Sequence, residues 1–172
     1  MIELEKTYLA KNIPANIKKS KWREVIDIYI PKSSDHPVLR IRKNGDSFEM
    51  TKKTPISDND KSVQKEQTIS LSEKEFEVLK KTEGRKIFKK RYYYDYNKNI
   101  AEIDIFKEGL SGLVLIDFEF KNKKEKDRFK MPEFCLVEVT QEEFIAGGML
   151  CGKKYKDIEK NLNKLKYKKI LF

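Results

Sequence analysis

Glu3 and Glu5 stand two residues apart in Ile2-Glu3-Leu4-Glu5, and the same spacing recurs with both signs of charge. Arg40 and Arg42 stand so in Leu39-Arg40-Ile41-Arg42, and Lys89 and Arg91 in Lys89-Lys90-Arg91. Glu102 and Asp104 repeat the acidic spacing, as do Asp117 and Glu119 in Ile116-Asp117-Phe118-Glu119-Phe120. A strand sends successive side chains to opposite faces, so each pair shares one face while apolar residues take the other. Carboxylates that converge on one cavity repel one another and need cations or protons. As hard oxygen donors they suit magnesium, manganese or calcium. Arginine forks match phosphate oxygens in pairs, and lysine acts as a point charge. Together the two sets describe metal-assisted phosphoryl transfer, with basic residues orienting a polyanion and stabilising charge on the leaving phosphate. One such pair alone reads as a solvated strand face. Three acidic pairs backed by Ile, Val and Phe read as the lining of a cavity. Lys52, Lys65 and Lys90 fall on the outward parity. No Gly-x4-Gly-Lys-Ser/Thr is present, so a P-loop is excluded.

These residues need strands to position them. Strands are predicted over 1–10, 25–30, 38–42, 47–53, 63–71, 87–96, 100–106, 112–120 and 136–140. Asn44-Gly45 marks a hairpin turn. Residues 54–62 read as a flexible polar loop. Ser72-Glu73-Lys74-Glu75 is a capping box that opens a helix with Phe76 and Leu79 on its apolar stripe and Gly84 as its C-terminal cap. Residues 121–130 read as a short solvated helix, Gly147-Gly148 as a helix break, and 155–165 as a terminal helix. Strands joined by short turns imply antiparallel pairing, and about eight of them can close into a barrel. The fold class is α+β, mostly β.

The chain has 172 residues and reads as a single domain, 1–172. Its net charge is +10, from 38 basic and 28 acidic residues, which suits an anionic partner. Cys135 and Cys151 lack metal-ligand spacing and are expected as free thiols in a reducing cytoplasm. His36, the only histidine, lies in a turn, so a histidine metal cluster or a Ser-His-Asp triad lacks raw material. No apolar run is long enough to cross a bilayer.

The residues resemble the CYTH superfamily, the triphosphate tunnel metalloenzymes, over nearly the whole chain. Glu3-Leu4-Glu5-Lys6-Thr7 resembles the Glu-x-Glu-x-Lys signature, and Leu39-Arg40-Ile41-Arg42 the Arg-x-Arg strand. Met50-Thr51-Lys52-Lys53 resembles Leu-Thr-x-Lys, and Lys89-Lys90-Arg91 the Lys-x-Arg segment. Ile103-Asp104-Ile105-Phe106 is similar to Asp-Val-Phe, residues 112–120 to the second acidic strand, and Glu138-Val139-Thr140 to Glu-Val-Thr. The resemblance implies an eight-stranded antiparallel closed β-barrel with flanking helices, holding Mg²⁺ or Mn²⁺ and a triphosphate. It implies Glu3, Glu5, Asp117 and Glu119 as metal ligands, and Arg40, Arg42, Lys53, Lys89 and Arg91 as phosphate ligands. Glu3, Glu5, Lys89 and Arg91 would be catalytic, and Glu66, Asp104 and Glu138 would complete an acidic lining. Three positions depart from the pattern: Thr7 for lysine, Gln64 for arginine and Thr68 for glutamate.

The activity this implies is metal-dependent hydrolysis of inorganic triphosphate. Adenylate cyclase, thiamine or nucleoside triphosphatase, and a polyphosphate- or nucleotide-binding protein without turnover are the alternatives. Tyr92, Tyr93, Tyr94 and Tyr96 could stack an organic group, but strand tyrosines more often belong to a core. The expected partner is a small-molecule triphosphate. A membrane is not expected, nucleic acid is disfavoured, and a homodimer is allowed.

Overall fold

The computed structural model describes residues 1–57 and 59–172. Among the described residues, nine strands form one antiparallel sheet: β1 (Ile2–Ala10), β2 (Lys21–Ile30), β3 (Leu39–Asn44), β4 (Ser47–Ser57), β5 (Asp60–Leu71), β6 (Arg85–Tyr96), β7 (Asn99–Phe106), β8 (Val114–Glu119) and β9 (Cys135–Glu138). Their order is β5-β4-β3-β2-β6-β7-β8-β1-β9, and β1 also pairs with β5. That last pairing closes β1–β8 into the barrel the sequence predicts, and closure leaves no long open edge among these strands. β1 is shared along one side. Residues 2–4 pair with β5, and residues 8–10 pair with β9.

The pairing register carries the charged parity around the barrel. Glu5 faces Glu119 and Thr7 faces Asp117. Asp27 stands opposite Arg42, Arg40 opposite Thr51, Lys53 opposite Glu66, and Arg91 opposite Asp104. All these positions point inward. Toward one end the inward residues turn apolar: Leu9, Tyr29, Ile87, Phe106 and Leu115. Helices α3 (Gly147–Leu150) and α4 (Tyr155–Lys164) pack there through Leu150, Ile158 and Leu162. This end of the barrel is therefore filled.

The outward parity is apolar and is covered on two sides. On β1, β7 and β8, Tyr8, Ile103, Ile116 and Phe118 lie under Phe129 and Phe134. On β2 and β3, Ile28 and Ile41 lie under Phe76 of helix α1 (Glu73–Leu79). The predicted capping box opens α1: Ser72 Oγ accepts from Glu75 N, and Glu75 bonds back to Ser72 N.

Four readings of the sequence need correction or extension. Residues 54–62 are not a loop: β4 runs to Ser57 and β5 begins at Asp60, with Asp58 outside the described residues. The hairpin tip is held by Gln141, which accepts from Lys61 N at 3.0 Å and donates to Asp60 at 3.2 Å. Gly84 does not cap α1, which ends at Leu79 with Lys80 as its C-cap. Its missing Cβ instead makes room against β2, where the atom would stand 2.6 Å from Ile28 Cγ2. Residues 121–130 contain helix α2 (Lys123–Arg128), but Lys126 is buried, bonded to Ser62 and 3.6 Å from Asp60. Gly147 and Gly148 begin α3 rather than break a helix. A Cβ would stand 1.9 Å from Tyr29 Oη at Gly147 and 2.2 Å from the Pro37 carbonyl at Gly148.

No helix among the described residues is long and apolar enough to cross a membrane. Cys135 and Cys151 are free and buried. Burial pushes the Cys135 thiol up to about 12, which leaves it unreactive.

Candidate active site

The inward faces enclose a cavity of about 550 Å³. Every sequence-predicted site residue except Glu138 lines it: Glu3, Glu5, Arg40, Arg42, Lys53, Glu66, Lys89, Arg91, Asp104, Asp117 and Glu119. Glu138 lies opposite Tyr8 in the register, on the outer face, and pairs with Lys6 at 3.3 Å. Parity within a strand says which residues share a face. It does not say which face is inside, and β9 lies beside the barrel rather than in it. Lys53, not Lys52, points inward. Lys52 and Lys65 are exposed, and Lys90 lies outside with its ammonium 3.5 Å from the Trp22 ring centroid.

Three carboxylates, Glu3, Glu5 and Glu119, bring ligand oxygens within 4.8 Å of one another. Across the antiparallel pair Glu5 and Glu119 are direct neighbours, so the geometry follows from the register. Two like charges so placed destabilise a bare sheet. Glu3 Oε2 is buried without an aligned hydrogen-bond donor, and Lys53 meets it as a point charge. This donor set fits a hard divalent cation. Asp117 stands outside the trio. It accepts from Thr7 Oγ1 at 2.7 Å and lies 3.7 Å from Arg91. Thr7, the departure from the Glu-x-Glu-x-Lys pattern, therefore contributes a hydroxyl donor to Asp117 in place of a cation.

The basic residues differ in how far they are committed. Arg42 grips Asp27 with two bonds, 2.6 and 2.8 Å. Arg91 grips Asp104 with two bonds of 2.7 Å and also meets Glu102. Lys89 bonds Asp104 and lies 3.9 Å from Asp27. Burial would raise both aspartates, yet Arg42 holds Asp27, and Arg91 with Lys89 holds Asp104, well below the usual carboxylate range. Burial pulls Lys89 below the ordinary lysine value. Arg40 has no close carboxylate partner. Its nearest carboxylate, Glu49, is 3.9 Å away, and its buried Nε has no partner.

Asp27 and Glu49 were not among the sequence-derived candidates. The signal for Asp27 was a lone carboxylate between Ile26 and Ile28, on the parity of Val25 and Tyr29. A single charge in an apolar strand has no partner to pair with by spacing. Of the four tyrosines, Tyr92, Tyr94 and Tyr96 pack in the outer layer, and Tyr93 Oη accepts from Asn44 at 3.0 Å. None of the four lines the cavity. His36 sits at its rim, 3.5 Å from Glu143.

Among the described residues, ten carboxylates and six lysine or arginine side chains line the cavity, so the tunnel is net acidic and the chain's positive charge lies on its exterior. Burial, then the carboxylate neighbours, raises Asp117 to about 7. Burial raises Glu3 to about 7 against the pull of Lys53. The folded chain therefore keeps protons that the unfolded chain has released above a pKa of about 4, and stability falls as pH rises through this window to about 7. In chelator, the melting temperature is expected to drop between about pH 4 and about pH 7, and magnesium should restore most at the alkaline end. A flat profile in chelator would show that these carboxylates carry no excess repulsion.

No protein-family profile matches the chain. An inorganic triphosphatase of Nitrosomonas europaea is 30% identical over 145 residues, covering 83% of this chain and 91% of that protein. The crystal structure of an inorganic triphosphatase superposes with a TM-score of 0.62 at 26% identity, covering 87% of this chain and 93% of that one. A putative adenylate cyclase from Bacillus halodurans shares the fold, with a TM-score of 0.51 and 14% identity over 99% of this chain and 92% of that one. The closed barrel, the inward charge pairs and the Nitrosomonas relative agree, and the chain belongs to the CYTH superfamily of triphosphate tunnel enzymes.

Proposed function

We propose that this protein hydrolyses inorganic triphosphate inside the barrel, with Glu3, Glu5 and Glu119 holding a divalent cation, Mg²⁺ or Mn²⁺. The observation that carries the phosphate half of the reading is Arg40, a cavity-lining guanidinium whose Nε is buried and unpartnered. A buried donor without an acceptor costs stability, and a phosphate oxygen would satisfy it. The metal half rests on the acidic excess of the lining, which a triphosphate anion alone would only deepen. A divalent ion held by the trio supplies Lewis-acid polarisation of phosphate oxygens. The chain's own residues do the rest. Arg40 and Lys53 hold the phosphate chain. Arg42, Lys89 and Arg91 are set in place beforehand by Asp27 and Asp104, so they meet developing charge without reorganising. Asp117 lies beside Arg91 and supports the trio from β8.

An inorganic substrate is favoured because, among the described residues, the Phe and Tyr rings that line the cavity are buried and offer no free face for a base. Tyr29 and Phe106 belong to the filled end, and Phe120 packs on Phe129 with ring centroids 5.0 Å apart. The same point disfavours a cyclase or a nucleotidase. We read residues 1–172 as one domain. The two buried free thiols suit a reducing cytoplasm.

The test is phosphate release from inorganic triphosphate, ATP and thiamine triphosphate, each with magnesium and with manganese, with cyclic AMP assayed in the ATP reaction. Release from inorganic triphosphate alone supports the reading. Preferred turnover of ATP or thiamine triphosphate would replace the substrate, and binding without turnover would make the chain a binding protein. Arg40→Ala should weaken triphosphate binding by about 1.5–3 kcal/mol, roughly 10- to 150-fold in Kd, the range for hydrogen bonds to charged groups. Titration calorimetry that finds no change would remove Arg40 from the phosphate site.

A further inference from the structure

Lys53 occupies an unusual position for a phosphate ligand. Its ammonium is ion-paired with Glu3 and stands 3.2 Å from Glu66 and 3.5 Å from Glu5. Glu3 and Glu5 are two of the three carboxylates whose oxygens converge to within 4.8 Å. Lys53 thus neutralises two of the carboxylates that a divalent cation would take. Carboxylates of Glu3, Glu5 and Glu66 hold its charge in place. Like charges a few ångströms apart in a partly buried site repel strongly. Lys53 cannot keep Glu3 and Glu5 while a dication holds them. It lies on β4, two residues beyond Thr51, which pairs with Arg40. A released ammonium therefore has Arg40, and any phosphate on Arg40, within the reach of its flexible stem.

We infer that Lys53 is a built-in counter-cation that links metal binding to triphosphate binding. With neither ligand present it neutralises Glu3, Glu5 and Glu66. When a divalent cation takes Glu3 and Glu5, Lys53 is freed without a partner, and a phosphate chain on Arg40 supplies one. Conversely, phosphate that draws Lys53 away leaves the carboxylates bare, and a divalent cation neutralises them. Each ligand alone works against Lys53, and the two together work with it. This inference rests on the metal and phosphate roles proposed above and adds the residue that couples them.

The test is Mn²⁺ binding with no phosphate present, read by loss of the free-ion electron paramagnetic resonance signal, in the wild type, Lys53→Met, Lys53→Arg and Glu5→Gln. Removal of the competing ammonium in Lys53→Met should tighten Mn²⁺ binding by about tenfold, within the usual 5–150-fold range of coupling between sites. The same variant should bind triphosphate more weakly when magnesium is present. Lys53→Arg keeps a cation at the trio, so its Mn²⁺ affinity should stay near that of the wild type. A lysine that merely held phosphate, or merely held the fold, would not make these two affinities move in opposite directions. In the wild type, the Lys53 Nζ signal of ¹⁵N-lysine-labelled protein, assigned by its absence in Lys53→Arg, should shift on adding magnesium alone. This measurement stands even if Lys53→Met fails to fold. Mn²⁺ binding that depends on Glu5 but is unchanged or weakened in Lys53→Met, or an Nζ signal that stays put as magnesium binds, would overturn the coupling alone. Absence of Mn²⁺ binding in every protein would overturn the metal reading and the coupling with it.

Discussion

Glu5→Gln should lower metal-dependent turnover by on the order of 10²–10³-fold or more, the cost of removing one charged group that a polar reaction depends on. The same change should leave the metal-free protein as stable as before, or more so. Glu5 faces Glu119 directly across the sheet and lies beside Glu3 in the trio. Neutralising it relieves like-charge repulsion, while glutamine keeps the side chain's length. The loss of its 3.5 Å contact with Lys53 works the other way but is partly exposed to water. Activity and metal-free melting temperature should therefore move in opposite directions. A variant that keeps its activity would remove Glu5 from the site. One that loses activity and stability together would make Glu5 a structural residue.

Asp104→Asn should have the opposite character, a large loss of stability. Asp104 is 1% exposed and anchors two cations, Arg91 by two bonds of 2.7 Å and Lys89 by a third. Removing one member of a buried ion pair leaves an uncompensated charge and costs about 3–5 kcal/mol. Glu102 and Asp117 still face Arg91, so the lower end applies. About 3 kcal/mol corresponds to a fall of roughly 6–12 °C in melting temperature for a chain of this size. Because the bared cations now seek an anion, triphosphate should raise the melting temperature of Asp104→Asn more than that of the wild type. A fall of less than about 2 °C would mean that Arg91 finds other partners and that Lys89 does so or loses its proton.

Much of this was legible in the sequence because a barrel repeats one simple rule. Alternation put Glu3 with Glu5, Arg40 with Arg42, Lys89 with Arg91 and Asp117 with Glu119 on common faces, and the register then turned all four faces inward. Ser72 and Glu75 named the start of α1 because a capping box is a local arrangement. What was not legible depended on distant parts of the chain. Glu138 obeys its own strand's alternation, but the side it faces is set by where β9 docks on β1. Polar residues 54–62 looked like a loop, yet pairing across the hairpin carries β4 and β5 through most of them. Asp27 had no second carboxylate nearby in sequence, and only Arg42 on the adjoining strand explains it. Lys126 sits in a run of solvated charge and is nonetheless buried against the start of β5.

The apolar ring of Leu9, Ile87, Phe106 and Leu115, stoppered by Leu150 and Ile158, decides how molecules travel. A phosphate polymer cannot be threaded past that ring, so long chains can offer only a terminus. Substrate and products pass instead by the exposed lining residues, among them Met1 and Ile2. On the proposed roles, released phosphate competes with the next triphosphate for Arg40 and Lys53.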